Sequence, residues 1–159
     1  MTVPTTRVVL IGGGTSSEHD VSRASAAGIA SALDPARFDV IPLTIRRDGT
    51  WAGPDDRELP GDLADAVAIL ERADVAIAAL HGPRGEDGTL AALFDLVGVP
   101  YVGSGVAAGA LAMGKHATKL LAASAGVATA PGILVHDPDD PRLADARLPA
   151  VVKPDRGGS

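Results

Sequence analysis

The sequence contains no cysteine. That excludes a disulfide framework, a thiolate metal site and a cysteine nucleophile within it. A cytoplasmic setting fits that absence. Aromatic residues supply only 3% of the chain, so a core must be assembled from Ala, Val, Leu and Ile. Basic residues are outnumbered, 14 Lys and Arg against 20 Asp and Glu, and the formal charge is -6. A nucleic-acid footprint needs clustered Lys and Arg, so no nucleic-acid partner is expected. Long hydrophobic runs are also missing. Val8-Val9-Leu10-Ile11 ends at three glycines, too short for a signal-peptide core or a membrane span. No membrane partner is expected.

What is present is an ordinary globular composition, 46% apolar and 21% charged over 159 residues. Strand and helix signals alternate. Arg7 to Ile11 reads as a buried parallel strand. Ser17-x-x-Asp20 predicts a capping box for a helix running toward Leu33, with Asp34-Pro35 as its stop. Phe38 to Ile45 is a second strand, Asp48-Gly49 a turn, and Pro54 to Pro60 a polar loop. Leu63 to Arg72 is a short helix, Val75 to Leu80 a strand, Thr89 to Val97 a helix and Val99 to Val102 a short strand. This βαβαβ rhythm implies right-handed crossovers and an open parallel α/β sheet covered on both faces. Gly103-Ser104-Gly105 reads as a hinge. An Ala-rich helical stretch from Ala107 to Ala125 follows, with a break near Gly114. Gly132 to Val135 and Ala150 to Lys153 are expected strands, separated by a charged, proline-rich excursion from His136 to Arg147. The expected domains are 1-103 and 104-159, the second incomplete.

Four places carry chemistry. Gly12-Gly13-Gly14-Thr15-Ser16-Ser17-Glu18 follows a strand and opens a helix, where glycines permit close ligand approach. It is not the dinucleotide fingerprint, since Ser17 stands where the third glycine should be, and Arg46-Arg47 stand where an acidic residue should follow the second strand. Glu18 suits either a helix N-terminus or a cationic ligand such as an ammonium group. The second place is His81-Gly82-Pro83-Arg84-Gly85-Glu86-Asp87-Gly88, at the carboxyl end of a strand, where open sheets bind ligands. His81 can donate to a carboxylate. Arg84, Glu86 and Asp87 either organise the site or cap the following helix. The third is Lys115 with Lys119 one turn on, otherwise a solvated helix face. The fourth is Lys153 before Gly157-Gly158-Ser159, a strand-borne lysine and glycine loop suited to a phosphate, although the full P-loop pattern is absent.

In order, these stretches resemble the D-alanine-D-alanine ligase family of the ATP-grasp superfamily. The matching segments are GGTSSEHDVSRAS from Gly13, LHGPRGEDGTL from Leu80, VPYVGSG from Val99, ALAMGKHATK from Ala110 and VVKPDRGGS from Val151. The resemblance implies a Rossmann-like, pre-ATP-grasp domain followed by a truncated ATP-grasp central domain. It implies joining of two D-alanines with ATP and Mg2+ through an acylphosphate, for peptidoglycan precursor synthesis and hence cell wall and cell shape. Such chemistry is chiefly positioning and charge neutralisation. By the same resemblance Glu18 holds the first D-alanine's ammonium, with Val21 and His81 at that substrate. Lys115 and Lys153 contact ATP phosphates. Ser159 begins a closing loop that orients Glu18. The metal carboxylates are expected beyond residue 159, so no metal ligand is assigned here. A homodimer is expected.

The chain departs from the family where Ala91-Ala92 replace Gln-Gly and Gly114 replaces Asp. These changes admit a ligase of the D-alanine-D-lactate type or of an antibiotic pathway. Since the tyrosine over the site, the adenine-binding strand and the catalytic arginine are also expected beyond residue 159, the chain is expected to be an inactive fragment of a longer enzyme. The alternatives are a non-catalytic binding fragment and a nicotinamide-binding domain.

Overall fold

The computed structural model describes residues 5–158. Its sheet has five strands in the order β3-β2-β1-β4-β5: β1 is Thr6–Gly13, β2 Phe38–Ile45, β3 Trp51–Ala52, β4 Val75–Ala78 and β5 Tyr101–Val102. Val8 to Ile11 are almost fully enclosed, as befits a central parallel strand flanked on both sides. β1 pairs in parallel with β2 (Val9 with Ile41) and with β4 (Val9 with Ala76), and β4 pairs in parallel with β5. The expectation of a purely parallel sheet is corrected at one edge. β3 runs antiparallel to β2, because Asp48-Gly49 turns the chain straight back onto it. The fold is therefore α/β with a mixed sheet.

The helices are α1 His19–Ala32, α2 Leu63–Leu70, α3 Thr89–Val97, α4 Val106–Met113 and α5 Lys115–Ser124. α1 lies so near β1 that a Cβ on Gly12 would stand 2.8 Å from the Ala26 Cβ. The core joins Val9, Ile11, Leu43, Trp51, Leu70, Leu80 and Phe94. With so few aromatics, three of the four serve the core: Trp51 seals the β3 edge, and Phe94 meets Tyr101 at 5.3 Å between ring centroids. Thr89–Val97 and Phe38–Ile45 match their expected spans, and the Ala-rich stretch does break at Gly114.

Three local expectations are corrected. The Ser17/Asp20 capping box does not form. α1 starts at His19 with Glu18 as N-cap and no side-chain cap bond, because Ser16, not Ser17, turns inward: its Oγ accepts from the Glu18 N–H at 3.2 Å. Residues 132–135 and 150–153 are not strands. They read as apolar runs, yet neither finds a ladder partner among the described residues, and Val151 and Val152 are 81% and 94% exposed. The polar stretch after Pro54 contains a short 3-10 turn, Pro54–Asp56.

Candidate functional site at the β1–β4 crevice

β1 sends the chain to β2 on one side and is flanked by β4 on the other. The loops leaving these two adjacent strands part there, which opens a crevice at their carboxyl ends. Gly13 and Gly14 form the first wall, with φ of 86° and 104°. A Cβ at Gly13 would stand 2.2 Å from the Ile45 carbonyl oxygen, so only glycine fits. The buried His19 ring ties the loop to α1, its Nδ1–H donating to the Gly14 carbonyl at 2.7 Å. A carbonyl only accepts, so this proton must sit on Nδ1.

α1 then presents Glu18, Ser22 and Ser25 on one face, at helical spacings of four and three. Ser22 is fully enclosed. Its Oγ donates to the Glu18 carbonyl at 3.0 Å and accepts from the His81 N–H at 2.9 Å. Ser25 Oγ lies 2.9 Å from His81 Nε2. Ser16 Oγ donates to the His81 carbonyl at 2.9 Å. Three serines thus fasten His81, on the loop after β4, against the start of α1. The structure brings Glu18 and His81 together by this means. Sequence reasoning named Ser16 only as part of the glycine loop and passed over Ser22 and Ser25; the signal for those two was there in small polar residues repeating on the inner face of a helix.

The second loop is held by its own carboxylates. Glu86 Oε2 accepts from the Gly82 N–H at 2.7 Å. Asp87 accepts from the Arg84 N–H at 2.9 Å and the Thr89 N–H at 3.0 Å. Burial raises the Asp87 carboxyl, but its hydrogen bonds from Thr89 and Arg84 outweigh that and hold it below the ordinary range. Glu86 and Asp87 therefore brace the turn and the start of α3. The Arg84 side chain is exposed.

One carboxylate oxygen differs. Glu18 Oε2 is shut off from solvent and has no hydrogen-bond partner among the described residues. A Cβ added at Gly82 would lie 3.0 Å from it, and one at Gly158 only 2.6 Å. Two glycine backbones therefore press on the acid. The Gly158 side is anchored by Lys115, whose Nζ donates to the Gly158 carbonyl at 2.7 Å. Asp155 adds a second anchor, its Oδ1 accepting from the His116 N–H at 2.8 Å and its carbonyl from the Lys115 N–H at 3.1 Å. Of the other expected residues, Val21 is exposed on α1 near Glu18. Lys153 is exposed, and no hydrogen bond or ion pair holds its side chain among the described residues. Lys119 is not merely solvated, since its Nζ donates to the Ala130 carbonyl. Ser159 lies outside the described residues.

The sheet order and the paired glycine loops at its switch point define the class: an open-sheet α/β domain. Sequence comparison narrows it. A family model described as the D-ala D-ala ligase N-terminus matches residues 7–67 and 55–104. A D-alanine-D-alanine ligase of Rhodococcus erythropolis is 41% identical over 97% of this chain and 52% of its own length. One from Bifidobacterium animalis subsp. lactis is 37% identical over 97% and 53%. The solved D-alanine-D-alanine ligase of Bacillus anthracis, complexed with ATP, superimposes with a TM-score of 0.72 at 28% identity, covering 96% of this chain and 48% of that one. The chain belongs to the D-alanine-D-alanine ligase family. It spans about half the length of the curated relatives it matches.

Proposed function

We propose that this chain forms the first-substrate side of an ATP-dependent ligase that joins two D-alanines for peptidoglycan precursor synthesis. The observation that carries the reading is the enclosed Glu18 Oε2, which has no hydrogen-bond partner among the described residues. A buried acceptor without a donor costs about 1–3 kcal/mol, more when charged. An ammonium group entering the crevice supplies the missing donor and the opposite charge. His81, latched beside it, donates a ring N–H to the same substrate's carboxylate. Val21, 55% exposed one turn from Glu18, offers an apolar contact for the methyl group.

In the reaction the family name implies, the first D-alanine's carboxylate takes the terminal phosphoryl group of ATP, and ADP leaves. The second D-alanine's amine attacks the acylphosphate carbonyl, its extra proton is lost, and phosphate departs as the peptide bond forms. This chain's part is to orient the first substrate and neutralise charge. Lys115 fits a phosphate: its ammonium sits beside a glycine loop and, among the described residues, is held by one carbonyl, which a phosphate oxygen would replace. Lys153 serves the same anion from the extended segment before that loop. Magnesium belongs to this reading through the family. Among the described residues no group of three His, Asp or Glu stands together to hold a metal ion.

The same reading places residues 104–159 at the beginning of an ATP-grasp central domain, with the boundary near Gly103. Support comes from the family match, which ends at residue 104, and from the ATP-complexed relative, which aligns across 96% of the chain. Ser159, which lies outside the described residues, takes the loop role that the family resemblance implies. A cytoplasmic homodimer completes the proposal; no helix of the described residues is long and apolar enough to cross a membrane. Calorimetry of the chain with D-alanine, L-alanine and ATP tests it. Binding of D-alanine in preference to L-alanine, lost in Glu18→Gln, is expected. Equal binding of both enantiomers, or binding indifferent to Glu18, overturns the assignment.

A further inference from the structure

His81 has two ring nitrogens, and only one is engaged by the protein among the described residues. Nε2 lies 2.9 Å from Ser25 Oγ. A serine hydroxyl can donate or accept, so distance alone leaves the proton's place open. The surroundings decide it. A helical serine with nothing better to do donates to the carbonyl four residues back, as Ser22 does to Glu18. Among the described residues Ser25 forms no such bond to Val21, and its hydroxyl partner there is His81. Its hydroxyl proton is therefore available to the ring. The backbone of His81 is meanwhile fixed at both polar groups, its N–H to Ser22 and its carbonyl by Ser16, so only rotation about χ1 and χ2 can carry the ring away from Ser25.

We infer that Ser25 is a positioning residue for the first-substrate site: it donates to Nε2 of neutral His81 and so fixes the proton on Nδ1, making Nδ1–H the ligand-facing donor. Free imidazole side chains carry the proton on either nitrogen, and the partner of one nitrogen sets the other. Without Ser25, His81 distributes between tautomers, and the fraction with a proton on Nε2 meets an incoming carboxylate with a lone pair. The inference rests on the first-substrate reading for its consequence, but the tautomer itself does not.

The test is long-range 15N–1H NMR of the four histidines in the 159-residue chain, at a pH where they are neutral. His19 is an internal standard, since its carbonyl partner requires Nδ1–H. His81 is expected to show the same tautomer signature as His19. Ser25→Ala is expected to move His81 toward the Nε2–H form, and Ser25→Thr, which keeps the hydroxyl, to restore it. Ser25 is only half-buried, so the fold should survive both changes, and unchanged His19 resonances confirm that. D-alanine affinity should fall about 3- to 10-fold in Ser25→Ala and recover in Ser25→Thr. A wild-type His81 in the Nε2–H form, or a tautomer indifferent to Ser25→Ala, overturns the inference. So does a Ser25→Ala variant that binds D-alanine normally while His81→Ala does not. If neither variant alters D-alanine binding, the first-substrate reading fails, and the tautomer result then stands or falls alone.

Discussion

Lys115 Nζ donates to the Gly158 carbonyl at 2.7 Å, and Gly158 in turn presses on the Glu18 carboxylate. A residue assigned to the phosphates is thereby connected, through one glycine, to the residue assigned to the ammonium. Lys115→Met should weaken ATP binding by roughly 10-fold or more, since a charge-assisted bond contributes about 1.5–3 kcal/mol. It should also loosen residues 155–158, read as faster amide exchange there. Unchanged exchange would show that the loop is held without Lys115.

Glu18→Gln alters a carboxylate whose Oε2 has no donor among the described residues. The melting temperature should stay constant or rise, because an unpaired buried carboxylate is costly. D-alanine binding should fall roughly 10- to 100-fold by the same scale of charged hydrogen bonds. Thermal denaturation and calorimetry check the two halves separately. A marked loss of stability would return Glu18 to a helix-start role.

Asp155 supplies at a distance what the position before Lys115 lacks. Gly114 is the N-cap of α5 and has no side chain, and the Asp155 carboxylate reaches in to accept from the His116 N–H. Asp155→Ala should destabilise α5 by about 1 kcal/mol. Gly114→Asp should recover most of that in the double variant, because Gly114 has an ordinary φ of -83° and a Cβ there makes only van der Waals contact. Urea denaturation of the four species measures the coupling. Strict additivity would mean the two positions do not share a task.

Two helical glycines should respond in opposite directions. Gly28, inside α1, has nothing within 4 Å of an added Cβ, so Gly28→Ala should stabilise the protein by about 0.5–1 kcal/mol. Gly109, inside α4, faces the Gly88 nitrogen at 2.8 Å from that same added atom. Gly109→Ala should cost roughly 1–3 kcal/mol as α4 is pushed off the 82–88 loop. Matched denaturation curves decide both.

The Asp140 carboxyl is held at about 2 by its hydrogen bonds with Arg142. A carboxylate with a lowered value in the folded state contributes stability above its ordinary value of 3.8 and loses it as pH falls toward 2. The amide of Arg142, which donates to Asp140, should therefore titrate with a midpoint near 2. A midpoint near 4 would mean that the turn is not formed in solution.

Much of the sheet was legible because a parallel strand buried on both faces writes a plain apolar run, as Val8 to Ile11 does. The helix break at Gly114 was legible for a backbone reason. What the pattern could not supply was partnership. Val151-Val152 has strand composition but no neighbour to pair with, whereas Trp51-Ala52 is too short to show a period and becomes a strand through the turn that returns it to β2. In the site, Glu18 and His81 stood out because glycines flank them. Ser16, Ser22 and Ser25 did not, because a serine's choice between solvent and a ring nitrogen is made in three dimensions. Asp155, 39 residues beyond His116 in sequence, was hidden for the same reason.

The exposed valine pair has a colloidal consequence. Val151 and Val152 are exposed and have no ladder partner among the described residues, and two adjacent exposed β-branched residues offer a template for intermolecular pairing. The sheet's own β3 edge is two residues long and closed by Trp51. Concentrated solutions of this chain should therefore grow cloudy through its carboxyl-terminal segment while the sheet beneath stays intact.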